Sequence, residues 1–291
     1  MKPIVFFGTE HHSLVVLKAL VESGYSIAAV VTKPDSIKGR HKKLLPPAVK
    51  QFAVEHKIPV WQPKNLRDII DNIRQLGEPV GILASYGKII PQSVLELFSP
   101  GIINLHPSLL PLYRGPSPIE SAIANRDRKT GVTIIKLDQA MDAGPIYTQV
   151  PYALDFTETK PELYDILFSL GANLLVQILP RIVSGELQPT PQDDDLATYC
   201  SLLDKSESRL DLSHLTPGEA EARIRAHLGY PRSRVNIGTY DLIVTKAHGV
   251  MTKQSPMDIE CSNGAFLSID EVIAPSGKTM SRDDFLRGHP L

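Results

Sequence analysis

The sequence has few of the residues that mark disulfide-rich, metal-binding or membrane proteins. Only two cysteines occur among its 291 residues, Cys200 and Cys261, and they form no C-x-x-C pair. We therefore expect neither a disulfide framework nor a zinc site, and we predict no bound metal. No run of apolar residues approaches the roughly 18 that span a bilayer, and no signal peptide is recognisable at the start. These absences predict a cytoplasmic protein without a membrane partner.

Neither sign of charge is in excess. The chain has 31 Lys and Arg against 32 Asp and Glu, a formal net charge of -1, and 42% hydrophobic residues. This composition is typical of a globular protein, and it argues against a protein coated in positive charge, so we expect no DNA partner. A different nucleic acid could still bind, because affinity for phosphate depends on local basic patches.

The first 185 residues alternate short aliphatic runs with helical patterns. We expect strands near 3–7, 27–31, 80–84, 102–105, 132–137 and 147–154, and helices near 13–22, 47–56, 92–98, 119–125 and 161–183. This alternation predicts an α/β fold with a mostly parallel, Rossmann-like sheet and helices on both faces. Ligands of such sheets bind where loops leave the carboxyl ends of the strands.

The pattern changes after residue 185. Prolines at 189 and 191 and three consecutive aspartates at 193–195 predict a linker over 186–206. A helix near 217–227 and several short strands separated by turn signals follow, which favours a small β-barrel. We therefore divide the chain into an α/β domain (1–185), a linker (186–206) and a C-terminal barrel domain (207–291).

Three polar residues stand at the ends of predicted strands. Asn104 and His106 are two positions apart, so their side chains point to the same side, and Asp142 follows a later strand. An amide and an imidazole can stabilise an oxyanion, and an imidazole beside a carboxylate can exchange protons with an amine. The set therefore suits acyl transfer between nitrogen atoms. From the residue types alone, His106 could equally be an ordinary packed histidine, and Asp142 a loop cap.

The string from Asn104 to Pro111, Asn-Leu-His-Pro-Ser-Leu-Leu-Pro, is followed by Tyr-Arg-Gly at 113–115 and by Thr-Gly-Val-Thr at 130–133. Together with Met-Asp-Ala-Gly at 141–144, these motifs resemble the folate-dependent formyltransferase family. The resemblance implies that Asn104, His106 and Asp142 are catalytic and that 10-formyltetrahydrofolate donates the formyl group. It places the folate against two segments, represented by Ser108, Leu109, Leu110 and Pro111, and by Ile82, Leu83, Tyr86 and Gly87.

A basic loop bears on which amine accepts the formyl group. Between Asp35 and Glu55 the chain has no acidic residue. The loop resembles the insertion that tRNA-specific members of the family place against the acceptor stem, which implies initiator Met-tRNA as the partner. The implied tRNA contacts there are Lys38, Arg40, Lys42 and Lys43. A solvated basic loop is the plainer interpretation.

The C-terminal segment gives a second indication. Family members that act on glycinamide ribonucleotide are single domains and need no such extension, whereas residues 207–291 resemble the family's OB-like barrel, down to Met-Ser at 280–281 and Asp-Phe-Leu-Arg-Gly at 284–288. Four arginines lie in a stretch without acids and are predicted to bind tRNA: Arg223, Arg225, Arg232 and Arg234. We expect a monomer.

One segment departs from the family pattern. After Gly8 and Thr9 the family continues with a proline and an apolar stretch, but this chain has Glu-His-His-Ser at 10–13. The segment is no G-x-G-x-x-G motif, so we expect no dinucleotide site, and we interpret His11 and His12 as surface residues at a helix start. Two alternatives remain open: a formyltransferase for a nucleotide-sugar amine, and a non-catalytic relative that binds folate or RNA.

Overall fold

A computed structural model describes residues 2–38, 43–289 and 291. The chain divides into two compact units. The first consists of Met1–Arg114, Gly131–Tyr152 and Tyr164–Tyr199, and the second of Gly115–Thr130, Ala153–Leu163 and Cys200–Leu291. The first unit thus includes much of the segment predicted as linker, and the second takes in two segments from the first 185 residues. The functional boundaries at 185 and 206 stay a prediction.

The elements alternate through the first part of the chain and then become mostly β. In chain order they are β1 (Ile4–Gly8), α1 (Ser13–Glu22), β2 (Ile27–Val31), β3 (Ser36–Lys38), β4 (Lys43–Leu45), α2 (Ala48–Glu55), β5 (Val60–Trp61), α3 (Ile70–Arg74), β6 (Val80–Ala84), α4 (Gln92–Leu95), β7 (Ile102–His106), α5 (Pro118–Ala124), β8 (Lys129–Lys136), β9 (Ile146–Ala153), α6 (Lys160–Val183), α7 (Pro217–Ala226), β10 (Arg234–Ile237), β11 (Tyr240–Val250), β12 (Ile259–Glu260), β13 (Phe266–Ile273), β14 (Thr279–Ser281) and α8 (Arg282–Gly288).

The first unit is built on a seven-stranded sheet in the order β5-β2-β1-β6-β7-β8-β9. The pairs from β5 to β7 are parallel, and β8 pairs antiparallel with β7. Strand β1, in the interior of the sheet, is buried along its whole length, as a continuous apolar run must be when both faces of a sheet are covered. The predicted mostly parallel, Rossmann-like α/β fold is confirmed.

The register of the sheet brings the carboxyl ends of its middle strands together. Leu83 on β6 pairs with Asn104 on β7, and His106 at the end of β7 pairs with Thr133 on β8. Parallel strands end at the same edge, and β8 begins beside the end of β7 because it runs the other way. The polar residues after these strands therefore lie at one edge of the sheet.

Helix α6 is the longest element and packs on this sheet. Its Gly171 lies so close to Leu105 and Val132 that an added Cβ would come within 2.6 Å of Leu105. By length and composition α6 could cross a membrane, with a mean hydropathy of 1.7 over 18 residues. The helix is not an uninterrupted apolar run, since it includes polar residues such as Asn173 and Gln177. Leu167, on the same helix, is fully buried, and core helices share this composition.

The second unit contains a five-stranded antiparallel sheet. The strands follow the order β10-β11-β13-β12, and β14 pairs with β13. Its core gathers aliphatic residues from the strands together with Ile224 of α7 and Phe285 of α8. Thr216 caps α7 through a reciprocal pair of hydrogen bonds with Glu219, which satisfies donors left unpaired at a helix start. The small β region predicted for the C-terminus is present.

Candidate active site

The structure brings Asn104, His106 and Asp142 together at the carboxyl edge of the first sheet. Asn104 Nδ2 lies 3.5 Å from Asp142 Oδ1, and His106 Nδ1 lies 3.6 Å from Asp142 Oδ2. Asn104 and His106 are 5% and 4% exposed. The carboxylate is therefore shared between an amide and an imidazole, and little water reaches either ring or amide.

The imidazole is oriented from its other side. His106 Nε2 lies 2.9 Å from the backbone oxygen of Tyr113. Because a carbonyl oxygen can only accept, Nε2 must donate in this contact, and Nδ1 is the nitrogen that faces Asp142. Tyr113 itself has a φ of 58°, so its carbonyl is aimed by a left-handed turn. The ring is held between a carbonyl and a carboxylate, as expected of a group that must keep one orientation.

Asp142 lies in a tight loop between β8 and β9. Its φ of 51° is left-handed, a conformation that aspartate tolerates better than most residues. Gly144 closes the loop against β8, since a Cβ on this residue would lie 1.9 Å from the backbone oxygen of Lys136. The motif Met-Asp-Ala-Gly is thus explained physically: the glycine permits the close approach that carries the carboxylate to His106.

The segment predicted to contact folate begins directly after β7. Ser108 and Leu110 are buried, while Leu109 and Pro111 are half-buried. Thr133 anchors the segment, because its hydroxyl donates to the Ser108 carbonyl at 2.6 Å and accepts from the Leu110 amide at 3.0 Å. This explains why a threonine belongs to the Thr-Gly-Val-Thr motif. Only Leu109 and Pro111 of this segment have appreciable side-chain surface to offer a ligand.

Gln149 on β9 supports the same segment. Its side-chain amide donates to the Leu110 carbonyl at 2.7 Å and to the Thr133 hydroxyl at 2.9 Å. Gly131 on β8 allows β9 to lie this close, since a Cβ on Gly131 would come within 2.3 Å of the Val150 carbonyl. Gln149 gave no signal in the sequence, because the β9 residues Ile-Tyr-Thr-Gln-Val-Pro-Tyr-Ala do not alternate between polar and apolar.

The second segment predicted to contact folate is mixed in character. Leu83 is half-buried beside Asn104, and Gly87 is exposed with a φ of 68°. Ile82 and Tyr86 are fully buried. Tyr86 packs edge-on against Phe7 with ring centroids 5.7 Å apart, and burial raises the pKa of its hydroxyl to about 12. The Tyr86 side chain is thus part of the core and offers no surface to a ligand at this edge, and its carbonyl accepts a hydrogen bond from the Thr9 hydroxyl at 3.1 Å.

A buried arginine forms a network that the sequence analysis missed. Arg114, in the Tyr-Arg-Gly motif, is 2% exposed. Its guanidinium contacts Asp194 at 2.6 Å and donates to Gln192 Oε1 at 2.8 and 3.1 Å. Burial disfavours its charge, but the hydrogen bonds to Asp194 and Tyr199 outweigh this and raise the pKa of Arg114. Its partners lie in the segment predicted as linker, where the sequence gives no hint of them.

The basic loop is described only in part. Arg40 and Lys42 lie outside the described residues, and Lys38 and Lys43 pair with each other through their backbones in the hairpin β3–β4. A role for these four residues stays a prediction. At the base of the hairpin, the Lys50 ammonium lies 2.8 Å from Asp35. Its charge is therefore already neutralised within the protein.

The four C-terminal arginines differ from one another. Arg223 and Arg232 are exposed. Arg225 is 8% exposed, pairs with Glu221 at 2.6 Å and donates to the Glu158 carbonyl at 2.7 Å. Arg234 pairs with Asp241 at 2.8 Å. The charges of Arg225 and Arg234 are thus paired with carboxylates of the second unit. The sequence does not distinguish these two arginines from the two exposed ones.

The unusual segment at 10–13 is only partly exposed to solvent. His11 is exposed, as expected, but His12 is half-buried. The His12 ring stacks on Tyr164 with centroids 4.1 Å apart. His12 stands at the start of α1 as predicted, but Tyr164 of α6 covers part of its ring, so its side chain is only 24% exposed. Among the described residues, no group of three His, Cys, Asp or Glu side chains is placed to hold a metal ion.

Comparisons with known proteins define the class to which this fold and site correspond. A family model described as formyl transferase matches residues 1–179. The chain belongs to the formyl transferase family.

The relatives include a methionyl-tRNA formyltransferase of Myxococcus xanthus, 36% identical over 99% of this chain and 95% of its own. Another, of Chloroflexus aggregans, is 46% identical over 72% of this chain and 68% of its own.

Solved structures with this fold are more distant in sequence. An N-formyltransferase of Helicobacter canadensis, in complex with folinic acid and dTDP-3-aminofucose, superposes with a TM-score of 0.71. It is 18% identical and covers 92% of this chain and 98% of its own. HypX of Aquifex aeolicus in complex with tetrahydrofolic acid has a TM-score of 0.66 at 16% identity, covering 97% of this chain and 46% of its own. At these identities the likeness concerns the fold.

Proposed function

We propose that this protein transfers the formyl group of 10-formyltetrahydrofolate to the amino group of methionine on initiator Met-tRNA. The observation that carries the proposal is the meeting of Asn104, His106 and Asp142 at one edge of the sheet, with distances of 3.5 and 3.6 Å to the shared carboxylate. The methionyl-tRNA formyltransferases that match over nearly the full chain support this substrate.

In this proposal Asn104 and His106 stabilise the charge that develops during transfer. Attack of the methionine amine on the formyl carbon turns its carbonyl oxygen into an oxyanion. The Asn104 amide can donate to that oxygen through the N–H that does not face Asp142, and the positive charge of a protonated His106 stabilises the oxyanion from nearby. Because both side chains are nearly buried, such hydrogen bonds act in a low dielectric, where they are stronger than in water.

Asp142 has two roles in this scheme. Its carboxylate faces His106 Nδ1, so it orients the imidazole, and it can accept the proton that the attacking amine loses. The departing folate nitrogen must gain a proton, which His106 can deliver when its Nε2 turns from the Tyr113 carbonyl to that nitrogen. The bond that forms joins the methionine nitrogen to the formyl carbon, and the bond that breaks joins that carbon to the folate.

The residues around the trio fit a folate as donor. Leu83 lies beside Asn104 on the neighbouring strand, and Leu109 and Pro111 are half-buried next to the end of β7. These side chains leave apolar surface within reach of the trio, as a flat ring system requires. The exposed Gly87 follows the same strand as Leu83 and lies beside the Lys33 side chain, whose Nζ would be 2.5 Å from a Cβ at this position.

A nucleotide-sugar amine is the second candidate acceptor. It rests on the fold shared with an N-formyltransferase that was solved with an amino sugar. The two candidates differ in size and charge, because a tRNA presents a run of phosphates and a sugar nucleotide only two. The basic loop at 38–43 would contact the first and have little to do with the second.

Purified protein is tested with 10-formyltetrahydrofolate and either Met-tRNA or a dTDP-amino sugar, measuring formyl-methionine or formyl-sugar. We expect formylation of Met-tRNA, and a kcat/KM that falls with rising salt. Changing Arg40, Lys42 and Lys43 to Ala should raise the KM for Met-tRNA and flatten its salt dependence, because fewer counterions are released on binding. Formylation of the sugar with none of Met-tRNA would overturn the proposed acceptor.

Two further inferences concern the cellular location and the oligomeric state of the protein. An enzyme that formylates initiator Met-tRNA works where translation begins, so we infer a cytoplasmic location. We also infer that the chain acts as a monomer. Size-exclusion chromatography with light scattering measures the second directly, and a stable dimer would contradict it.

A further inference from the structure

The segment from 190 to 199, which the sequence analysis treated as part of a linker, is fastened to the candidate active site. We call it the bracing segment. At its start Thr190 exchanges two backbone hydrogen bonds with Ile146, at 2.7 and 2.8 Å. Near its end, the Thr198 amide donates to the Pro111 carbonyl at 3.1 Å, and the Thr198 carbonyl accepts from Arg114 at 2.8 Å. The bracing segment is thus held to the loop after β7 and to the strand after Asp142.

Gln192 makes the contact that bears on the chemistry. Its Nε2 donates to the backbone oxygens of Asp142 and Gly144, both at 2.7 Å. Its Oε1 accepts from Arg114 Nε and Nη2. The orientation of the amide is therefore fixed, because an arginine can only donate and the two carbonyls can only accept. One side chain ties the loop that carries Asp142 to the buried Arg114.

This loop has a physical need for such support. Asp142 has a left-handed φ of 51°, a conformation that most residues avoid and that surrounding contacts must maintain. Its carboxylate must stay within 3.6 Å of His106. A displacement of about 1 Å in a reacting group can lower a rate by about 100-fold. Holding the two carbonyls at 142 and 144 fixes the direction in which the carboxylate points.

We infer that Gln192 is a positioning residue that holds Asp142 in register with His106, with Arg114 fixing the Gln192 amide. The inference rests on the proposed function, since it assigns Gln192 to that same reaction. Two variants separate its hydrogen bonds. Gln192→Met keeps the size of the side chain and removes all of them. Gln192→Glu can still accept from Arg114 but cannot donate to the two carbonyls.

Both variants should lower the single-turnover rate of formyl transfer by about 10- to 100-fold, with little change in the KM for either substrate. Gln188 provides a matched control, since its exposed amide donates to the nearby Gly185 carbonyl at 2.7 Å, so Gln188→Met should leave the rate unchanged. In an Asp142→Asn background Gln192→Met should have little further effect, because the residue acts through that carboxylate. Full additivity would overturn the inference.

Hydrogen–deuterium exchange of the peptide over 138–144 gives a readout independent of activity. We expect faster exchange in Gln192→Met than in wild type or Gln188→Met. Equal exchange in all three proteins would contradict the inference that Gln192 holds the loop of Asp142, whatever the activities of the variants. If the wild type shows no formyl transfer but exchange is faster in Gln192→Met, the proposed function is wrong. The structural role of Gln192 in holding the loop is then still supported.

Discussion

The carboxyl edge of the first sheet and the arginine-rich part of the second unit both contain residues that the sequence predicts to be functional. At the sheet edge, Asn104 and His106 converge on one carboxylate although 36 or more residues separate them from Asp142. In the second unit, Arg225 and Arg234 are already paired with carboxylates of the same unit. The difference shows that an ordered motif predicts which groups meet, whereas a count of charges does not predict which of them reach a partner.

After His106, the largest effect in this comparison is expected at Asn104. Changing Asn104 to Ala removes one donor to the developing oxyanion, so kcat should fall by about 100- to 1,000-fold. Binding of the folate, measured by titration calorimetry, should be nearly unchanged. A decrease below threefold would contradict a role for this amide in the chemical step.

The second effect concerns a buried histidine of the second unit. His227 is 4% exposed and shares a hydrogen bond with Ser233 at 3.0 Å. Burial lowers its pKa from 6.5 to about 4. Between about pH 6.5 and 4, His227 therefore binds a proton in the unfolded chain but not in the folded chain. Stability present above about pH 6.5 should be lost as the pH falls towards 4, by about 3 kcal/mol at most.

Thermal unfolding of wild type and His227→Gln between pH 7 and 4 measures this loss. The variant cannot take up the proton, so its unfolding temperature should fall less steeply over this range. Parallel curves would show that His227 does not titrate as its burial implies.

Arg225 and Arg223 allow a matched test on one helix. Arg225→Met leaves Glu221 and the Glu158 carbonyl without their donor, so the free energy of unfolding should fall by about 2 kcal/mol. Arg223→Met changes an exposed side chain and should alter stability by about 0.5 kcal/mol or less. Equal losses in both variants, measured by denaturant titration, would mean that the pairing of Arg225 does not matter.

The smallest effect is expected for tRNA binding by the second unit. Arg223→Ala and Arg232→Ala should each raise the KM for Met-tRNA only a few-fold and lower its salt slope by about 1, if each contacts a phosphate. The predicted contact of Arg234 is the weaker candidate because Asp241 holds its guanidinium. A larger effect at Arg234 than at Arg232 would reverse this ranking.

Much of the first sheet could be predicted because its strands are short aliphatic runs. The expected strands at 27–31 and 80–84 and the helix at 13–22 have the bounds seen in the structure. The hairpin β3–β4 was missed because its two strands of three residues are too short to show alternation. Helix α8 was missed because it is also short, and its one buried residue, Phe285, cannot show a helical period.

The meeting of the proposed catalytic residues could be predicted from contiguous motifs, but the distant segments that support them could not. The trio was identified from strings that are contiguous in the sequence. Gln192 and Gln149 reach the site from elements 40 or more positions beyond Asn104, and a glutamine in a polar stretch carries no signal of its own. Arg225 is a mixed case: its ion pair with Glu221 is an i,i+4 pattern that the sequence contains, but its contact with the Glu158 carbonyl is remote along the chain and gave no signal.

The most direct test of the central claim is the single-turnover rate of formyl transfer to Met-tRNA by His106→Ala, compared with wild type at saturating folate. If His106 stabilises the oxyanion and delivers the proton, the rate should fall by about 100- to 10,000-fold, while the affinity for folate stays the same. A variant that transfers the formyl group at the wild-type rate would contradict the assignment of Asn104, His106 and Asp142 as the catalytic set.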